Sequence, residues 1–83
     1  MELLDFLRNN IPTAENETPI EMEFNNFHIK ELFAVGIYSL ILIYEGNIIF
    51  SRATFRQSGC VAWKNKRETY LAALEVELNN LFP

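Results

Sequence analysis

The residues that could carry chemistry are few, because the chain holds one histidine, one aspartate and one cysteine. A hydrolytic triad, or a metal site built from histidine and cysteine, would have to use nearly all of them. His28, Asp5 and Cys60 stand in separate segments with no motif spacing, and the glutamates at 15–23 read as a solvated face rather than as a glycosidase pair. We therefore predict a protein that is not an enzyme and has no metal or other cofactor, with His28 a hydrogen-bonded loop residue and Cys60 a small buried one.

The basic residues are more informative. Arg52 and Arg56 project from one face of a predicted strand. Three more bases, Lys64, Lys66 and Arg67, stand close together at the start of the predicted last helix. Positive charge at a helix start opposes the helix dipole, which is expected where an anion, a phosphate or a partner's acidic surface compensates it. Surface ion pairs explain the same residues equally well, with Glu21, Glu23, Glu31 and Glu68 as partners.

Trp63 immediately precedes the last three of these bases. A tryptophan beside arginines is a usual composition for the hot spot of a protein interface. A wedge in the core between helix and sheet is at least as good an interpretation of Trp63, so both remain open.

A predicted β-hairpin positions two of the basic residues, Arg52 and Arg56. Ile37–Tyr44 and Ile48–Phe55 are rich in β-branched and aromatic residues, and they flank Gly46 and Asn47, which tolerate the positive φ of a two-residue turn. With Gly46 and Asn47 at the centre of the turn, the pairing of the two strands is fixed and side chains alternate between the two faces.

In that register each face of the hairpin has a definite composition. The expected core face carries Tyr38, Leu40, Leu42, Tyr44, Ile49, Ser51, Ala53 and Phe55. The opposite face carries Ile37, Ser39, Ile41, Ile43, Phe50, Arg52, Thr54 and Arg56. A three-residue turn would slip the pairing by one residue while keeping the alternation within each strand. We expect the apolar patch of Ile37, Ile41, Ile43 and Phe50 to be covered by a partner or a second copy, with the two arginines at its rim.

The remaining elements follow from periodicity. A helix is predicted over Met1–Asn10 and ends before Pro12, and a half-exposed strand starts at Ile20 and leads to a turn at Asn25 and Asn26. His28–Gly36 fits either a short helical turn or an extension of the next strand.

After Gln57–Gly59 breaks the second hairpin strand, a last helix is predicted. Asn65 and Glu68 resemble a capping box at its start. Its apolar stripe is Tyr70, Leu71, Leu74 and Leu78, with Leu81 and Phe82. The prediction is a single α+β domain over residues 1–83, in the order α-β-β-β-α, with a three-stranded antiparallel sheet and both helices packed on one of its faces.

This order, with Lys64, Lys66 and Arg67 and then an alanine pair in the last helix, is similar in outline to double-stranded RNA-binding domains. Their Lys-Lys pair and third lysine correspond here to Asn65, Lys66 and Thr69, and their Gly-Pro-x-His loop is represented only by His28. The resemblance implies a shared topology and assigns no RNA-binding residues.

Composition narrows the classes of function. The 83 residues are 49% hydrophobic and carry a net charge of -4, which weighs against a general nucleic-acid binder. A single cysteine permits no intrachain disulfide, and with no signal peptide or membrane span visible we expect a cytoplasmic protein. Asn, Ile, Phe and Glu are plentiful, as AT-rich coding DNA produces in low-GC bacteria and their phages.

Three hypotheses follow. The first is a small, acidic, non-catalytic protein-binding module, a phage or mobile-element inhibitor that occludes a partner surface in a host defence system, as anti-CRISPR proteins do. The second is a nucleic-acid-binding domain that uses the five basic residues. The third is a homodimeric structural subunit whose apolar strand face is the dimer seam.

Overall fold

The computed structural model describes residues 2–12, 18–34, 37–55 and 63–82. Along the chain, one helix precedes and one follows four strands. The elements are α1 (Glu2–Asn9), β1 (Ile20–Phe24), β2 (Phe27–Ala34), β3 (Ile37–Tyr44), β4 (Asn47–Phe55) and α2 (Trp63–Leu81). The strands form one antiparallel sheet in the order β1-β2-β3-β4, so each pairs with its neighbour in the chain. The α+β class is confirmed. The predicted number of strands was one too few, and the sheet therefore departs from the three-stranded outline of the RNA-binding domains.

The additional strand is β2, which occupies most of the segment that periodicity left ambiguous. Asn25, with a φ of 54°, lies in the two-residue turn that leads into it, as expected. Along β2, Ile29, Glu31 and Phe33 are buried while the residues between them are half-buried. A charged residue in the buried row interrupts the apolar alternation by which a strand is usually recognised.

The hairpin between β3 and β4 turns one residue earlier than predicted. Tyr44 faces Asn47, so the central turn residues are Glu45 and Gly46, both with positive φ, 51° and 82°. A turn with positive φ at both central residues matches the twist of paired strands. The register then shifts, because Ile43 faces Ile48 while Leu42 faces Phe50, which leaves Ile49 as the additional residue of a bulge.

This register corrects the predicted faces of β4. Tyr38, Leu40 and Leu42 are buried as expected, and their partners across the pair are Thr54, Arg52 and Phe50. Phe50 is therefore on the core side and is 3% exposed. Ser51 and Ala53, which were predicted to face the core, are exposed.

Both helices contribute leucines to one hydrophobic core. Leu3, Leu4 and Leu7 of α1 are buried, and so is the regularly spaced row Leu71, Leu74 and Leu78 of α2. Helix α1 and the central leucines of the apolar stripe of α2 were predicted correctly. Leu81 and Phe82, which were predicted to continue that stripe, are exposed.

Each helix has an aromatic contact with the core row, which is defined here as the strand positions that share a face with the buried residues Ile29, Leu40 and Phe50. The ring of Phe6 lies 4.8 Å from that of Phe24 in β1, and the ring of Tyr70 stacks on Tyr38 of β3 at 5.6 Å. Tyr70 also shares a hydrogen bond with Thr54 of β4.

The start of α2 differs from the expected cap. The helix begins at Trp63, so Asn65 is its third residue and not its N-cap. Glu68 is exposed and pairs with Arg8 of α1, with 3.6 Å between Nε and Oε2. The predicted features at Gly36, Gln57–Gly59 and Cys60 lie outside the described residues.

Candidate protein-binding surface

The predicted apolar patch keeps three of its four members. Ile37, Ile41 and Ile43 alternate with the buried residues of β3, so they share the opposite face of the sheet, and all three are half-buried. Phe50 lies on the core side and leaves the patch. The correction has one cause, which is the bulge at Ile49, because its additional residue reverses the alternation expected for the rest of β4, whereas the earlier turn alone would have left the predicted faces unchanged.

The predicted basic set is not assembled into one exposed surface. Arg67 is 1% exposed and lies inside the protein, while Arg52 is exposed with its guanidinium carbon 4.8 Å from the centre of the Phe50 ring. Lys66 is half-buried. The remaining predicted site residues, which are Arg56 and the side chains of Trp63 and Lys64, lie outside the described part of the chain.

The surface that the sheet does form is defined here as the outer face, the strand positions that alternate with the core row. Among the side chains that the structure describes, it consists of Glu21, Glu23, His28, Lys30, Leu32, Ile37, Ser39, Ile41, Ile43, Ile48, Ser51 and Ala53. Ile43 faces His28 and Ile41 faces Lys30 across the β2–β3 pair, so an apolar band along β3 runs directly beside a polar border. Leu32, half-buried in β2, extends the apolar band.

The polar border is a cluster of ion pairs centred on the imidazole of His28. Its Nε2 lies 2.8 Å from Oε1 of Glu21 and its Nδ1 lies 3.3 Å from Oε1 of Glu23, while Nζ of Lys30 is 4.0 Å from the same Glu21 oxygen. The hydrogen bonds to Glu21 and to Glu23 raise the pKa of His28 above its ordinary value. The hydrogen bond from His28, and then the charge of Lys30, lower the pKa of Glu21. His28 was predicted to be hydrogen-bonded, but in a loop, and it lies in a strand.

A second polar cluster is buried in the core. Glu31 was among the expected ion-pair partners of the basic residues, but the pair was expected at the surface and both of its residues are buried. The Glu31 carboxylate accepts hydrogen bonds from Nε of Arg67 at 2.5 Å, from Nη2 at 3.3 Å and from the hydroxyl of Tyr38 at 2.6 Å. Nη2 of Arg67 also donates to the carbonyl of Asn10 at 3.3 Å, whereas the buried Nη1 has no hydrogen-bond partner among the described residues. Burial, followed by the adjacent Glu31 charge, raises the pKa of Tyr38 well above its ordinary value, so its hydroxyl stays protonated and donates.

A signal for this cluster was present in the sequence. Arg67 stands one helical turn before Leu71 and therefore continues the stripe that Leu74 and Leu78 complete. Glu31 occupies the position between Ile29 and Phe33 in a period-two pattern. Arg67 and Glu31 therefore both occupy positions that the apolar patterns assign to the core. Opposite charges at two such positions favour a buried ion pair, because burying either charge alone would strongly destabilise the folded state.

These clusters offer no metal centre within residues 2–12, 18–34, 37–55 and 63–82, where no three His, Cys, Asp or Glu side chains are grouped to hold an ion. In the same residues, neither helix is long and apolar enough to cross a membrane.

Comparison with protein-family models, with curated proteins and with solved structures found no match to this chain.

Proposed function

We propose that this chain is a non-catalytic protein-binding module that docks its partner on the outer face. The observation that carries the proposal is the apolar band of Leu32, Ile37, Ile41 and Ile43 on a sheet face whose alternate residues form the core. The helix contacts lie on the core side, and we infer that both helices pack there. An antiparallel sheet with one solvated face ordinarily shows polar residues on that face, so an apolar band there favours a contact surface.

The dimensions of the outer face suit a modest interface. Strands about 4.8 Å apart that rise about 3.3 Å per residue give a four-stranded face roughly 400 to 500 Å² of flat area. Contiguous patches of about 300 to 600 Å² on monomers are often functional, and specific interfaces bury about 800 Å² on each partner. A partner that covers the whole outer face would therefore cover little more than half of the usual area, which corresponds to a small interface of the kind found in transient complexes.

The charge of the border points to a basic partner. Glu21 and Glu23 are both exposed, and Lys30, which is the one permanently charged base of the border, lies 4.0 Å from Glu21, so with His28 neutral the border keeps an excess of one negative charge. The whole chain adds a net charge of -4. A second copy would bring the same excess of acid against this surface, whereas a partner with Lys and Arg around an apolar centre is complementary and associates faster.

Exposed clusters of Lys and Arg are what nucleic-acid-binding proteins use to neutralise phosphates. An acidic module that covers such a surface would keep the nucleic acid away from it. We accordingly propose that the chain inhibits by occlusion, and that its setting is a phage or mobile element acting on a nucleic-acid-dependent host defence system of the CRISPR kind.

The test compares two apolar surface positions. A photo-crosslinking amino acid is placed at Ile41, and in a matched control at Val76, which is 61% exposed on α2. A partner crosslinked from Ile41 alone is identified, purified and titrated against the unmodified chain. Binding should then be lost in Ile41→Lys, kept in Val76→Lys, and weakened by added salt.

Two outcomes would overturn the proposal. If the purified partner binds Ile41→Lys as tightly as the original chain, the outer face is not the docking surface. If the crosslink at Ile41 joins two copies of the chain, and light scattering shows a dimer that Ile41→Lys dissociates, the homodimer hypothesis is correct instead.

A further inference from the structure

A cavity opens at one end of the sheet, between the start of α1 and the turn that joins β1 to β2. Its volume is about 300 Å³, and it is lined by Glu2, Leu3, Phe24, Asn25 and Phe27. The two phenylalanines belong to the core row of their strands, so the cavity is separate from the outer face. Its volume lies at the lower end of the range for ligand pockets, about 300 to 1,000 Å³, and suits one long side chain better than a cofactor.

Neighbouring rings hold the aromatic walls in place. The ring of Phe24 lies 4.8 Å from Phe6 of α1. The ring of Phe27 lies 4.8 Å from Tyr44 and 5.9 Å, edge to face, from Phe82 after the end of α2. Walls fixed in this way lose little conformational freedom when a ligand binds, which favours affinity.

The rim of the cavity carries a carboxylate. Glu2 lines the cavity and is exposed, so we assign its carboxylate to the rim, and no other described residue forms a hydrogen bond or ion pair with it. Aromatic faces attract cations through the ring quadrupole, and a carboxylate at the mouth adds a charge-assisted hydrogen bond. The complementary ligand is therefore a cation on an apolar stem.

Of the two long cationic side chains, arginine fits both features. Its guanidinium is planar and stacks on aromatic faces, and its fork of N–H donors matches a carboxylate, whereas the lysine ammonium is compact and strongly hydrated. Arginine is also among the residues most enriched in interface hot spots. We propose that this cavity receives an arginine side chain from a protein partner. The proposal does not depend on the outer face.

The probe is N-acetyl-arginine amide, and N-acetyl-citrulline amide is its neutral control of nearly the same shape. Each is titrated into the full chain while the backbone amide resonances are followed by NMR. The resonances of Leu3, Asn25 and Phe27 should shift, and the arginine probe should bind about three- to ten-fold more tightly than the citrulline probe, with dissociation constants in the millimolar range.

Matched variants assign the preference to the rim carboxylate. Glu2→Gln should bring binding of the arginine probe down to the level of the citrulline probe. Asp5→Asn, which removes an exposed carboxylate of the same helix outside the cavity, should leave the preference unchanged. Both substitutions are at exposed positions, and the amide spectrum of each variant reports whether it has folded.

The proposal is overturned if neither probe shifts these resonances, if both probes bind equally to the original chain, or if Glu2→Gln behaves like Asp5→Asn. Ile41→Lys, the variant that tests the outer face, should bind the arginine probe as tightly as the original chain does. The outer-face proposal and the cavity proposal can therefore fail independently of each other.

Discussion

Glu31 of β2 and Arg67 of α2, 36 residues apart in the chain, form an ion pair in the core with Nε and Oε2 2.5 Å apart. Their exposed fractions are 0% and 1%. Removing two charges from water costs several kcal/mol for each ion, about as much as their attraction returns, so the pair adds little net stability. We infer that it contributes specificity, because only one placement of α2 on the sheet brings the two charges together.

Breaking this pair from one side should be strongly destabilising. Arg67→Met leaves a buried carboxylate and Glu31→Leu leaves a buried guanidinium, and each should lower the free energy of unfolding by about 3 to 5 kcal/mol. Glu31→Leu combined with Arg67→Met, with Tyr38→Phe added to remove the freed hydroxyl donor, should lose far less than the sum of the single changes. Urea unfolding monitored by circular dichroism measures all of these variants. Additive losses would show that the charges do not act as a pair.

The position of the hairpin turn gives a second prediction. Gly46 has a φ of 82° and open space around the position a Cβ would occupy, so Gly46→Ala should lower the free energy of unfolding by about 1 to 2 kcal/mol through backbone strain alone. Glu45→Asn, at a φ of 51°, should raise it by up to about 1 kcal/mol, because asparagine tolerates this region better. Asn47→Ala is the control and should change it by less than about 0.5 kcal/mol. If Asn47→Ala were the costly change, the turn would be centred one residue later.

The hairpin also shows what the sequence could and could not predict. The alternation along β3 was correct because it depends only on that strand, in which Tyr38, Leu40 and Leu42 are buried. The alternation expected for β4 was reversed by the bulge at Ile49, which the alternating pattern of the sequence did not indicate. The turn was also placed one residue too late, because Gly46 fits a turn with either neighbour, but that difference moves the pairing by two residues and leaves the faces unchanged.

The candidate surfaces were partly predictable for the same reason. Ile37, Ile41 and Ile43 were assigned correctly to one face, since they share a strand. Arg67 was assigned to an exposed basic set, and Glu31 was expected to pair with such residues only at the surface, because the strand that buries Glu31 was not predicted. Pairing between side chains 36 residues apart depends on the packing of α2 against the sheet, which periodicity does not report.

The start of α2 gives a third prediction. Because Asn65 is exposed as the third residue of the helix, Asn65→Ala should change the free energy of unfolding by no more than about 0.5 kcal/mol, with a slight gain from helix propensity. Asn79→Ala, at an exposed position near the other end of α2, is the matched control and should behave alike. Chemical unfolding of the two variants gives the comparison. A loss of about 0.5 to 2 kcal/mol at Asn65 alone would place the helix cap there.

The last prediction concerns pH and the cluster around His28. Its pKa is raised in the folded state, so its contribution to stability is complete below the unfolded-state value of about 6.5 and is lost as the pH rises through the folded value. Glu21 has a lowered pKa, so its contribution is present above its unfolded-state value of about 4.3 and is lost as the pH falls through the folded value. Together the two groups stabilise the fold most between about pH 4.5 and 6.5.

Because His28 is the only histidine, its imidazole resonance can be titrated by NMR without ambiguity. Its pKa should lie above the ordinary value, and Glu21→Gln should lower it more than Glu23→Gln, since the Glu21 oxygen is 2.8 Å from the ring and the Glu23 oxygen 3.3 Å. The thermal midpoint of the original chain should decline between about pH 6 and pH 8, and this decline should be absent in His28→Asn. An ordinary pKa for His28, unmoved by either glutamine substitution, would mean that these two carboxylates do not hold the imidazole in solution and that the polar border of the outer face is loosely organised.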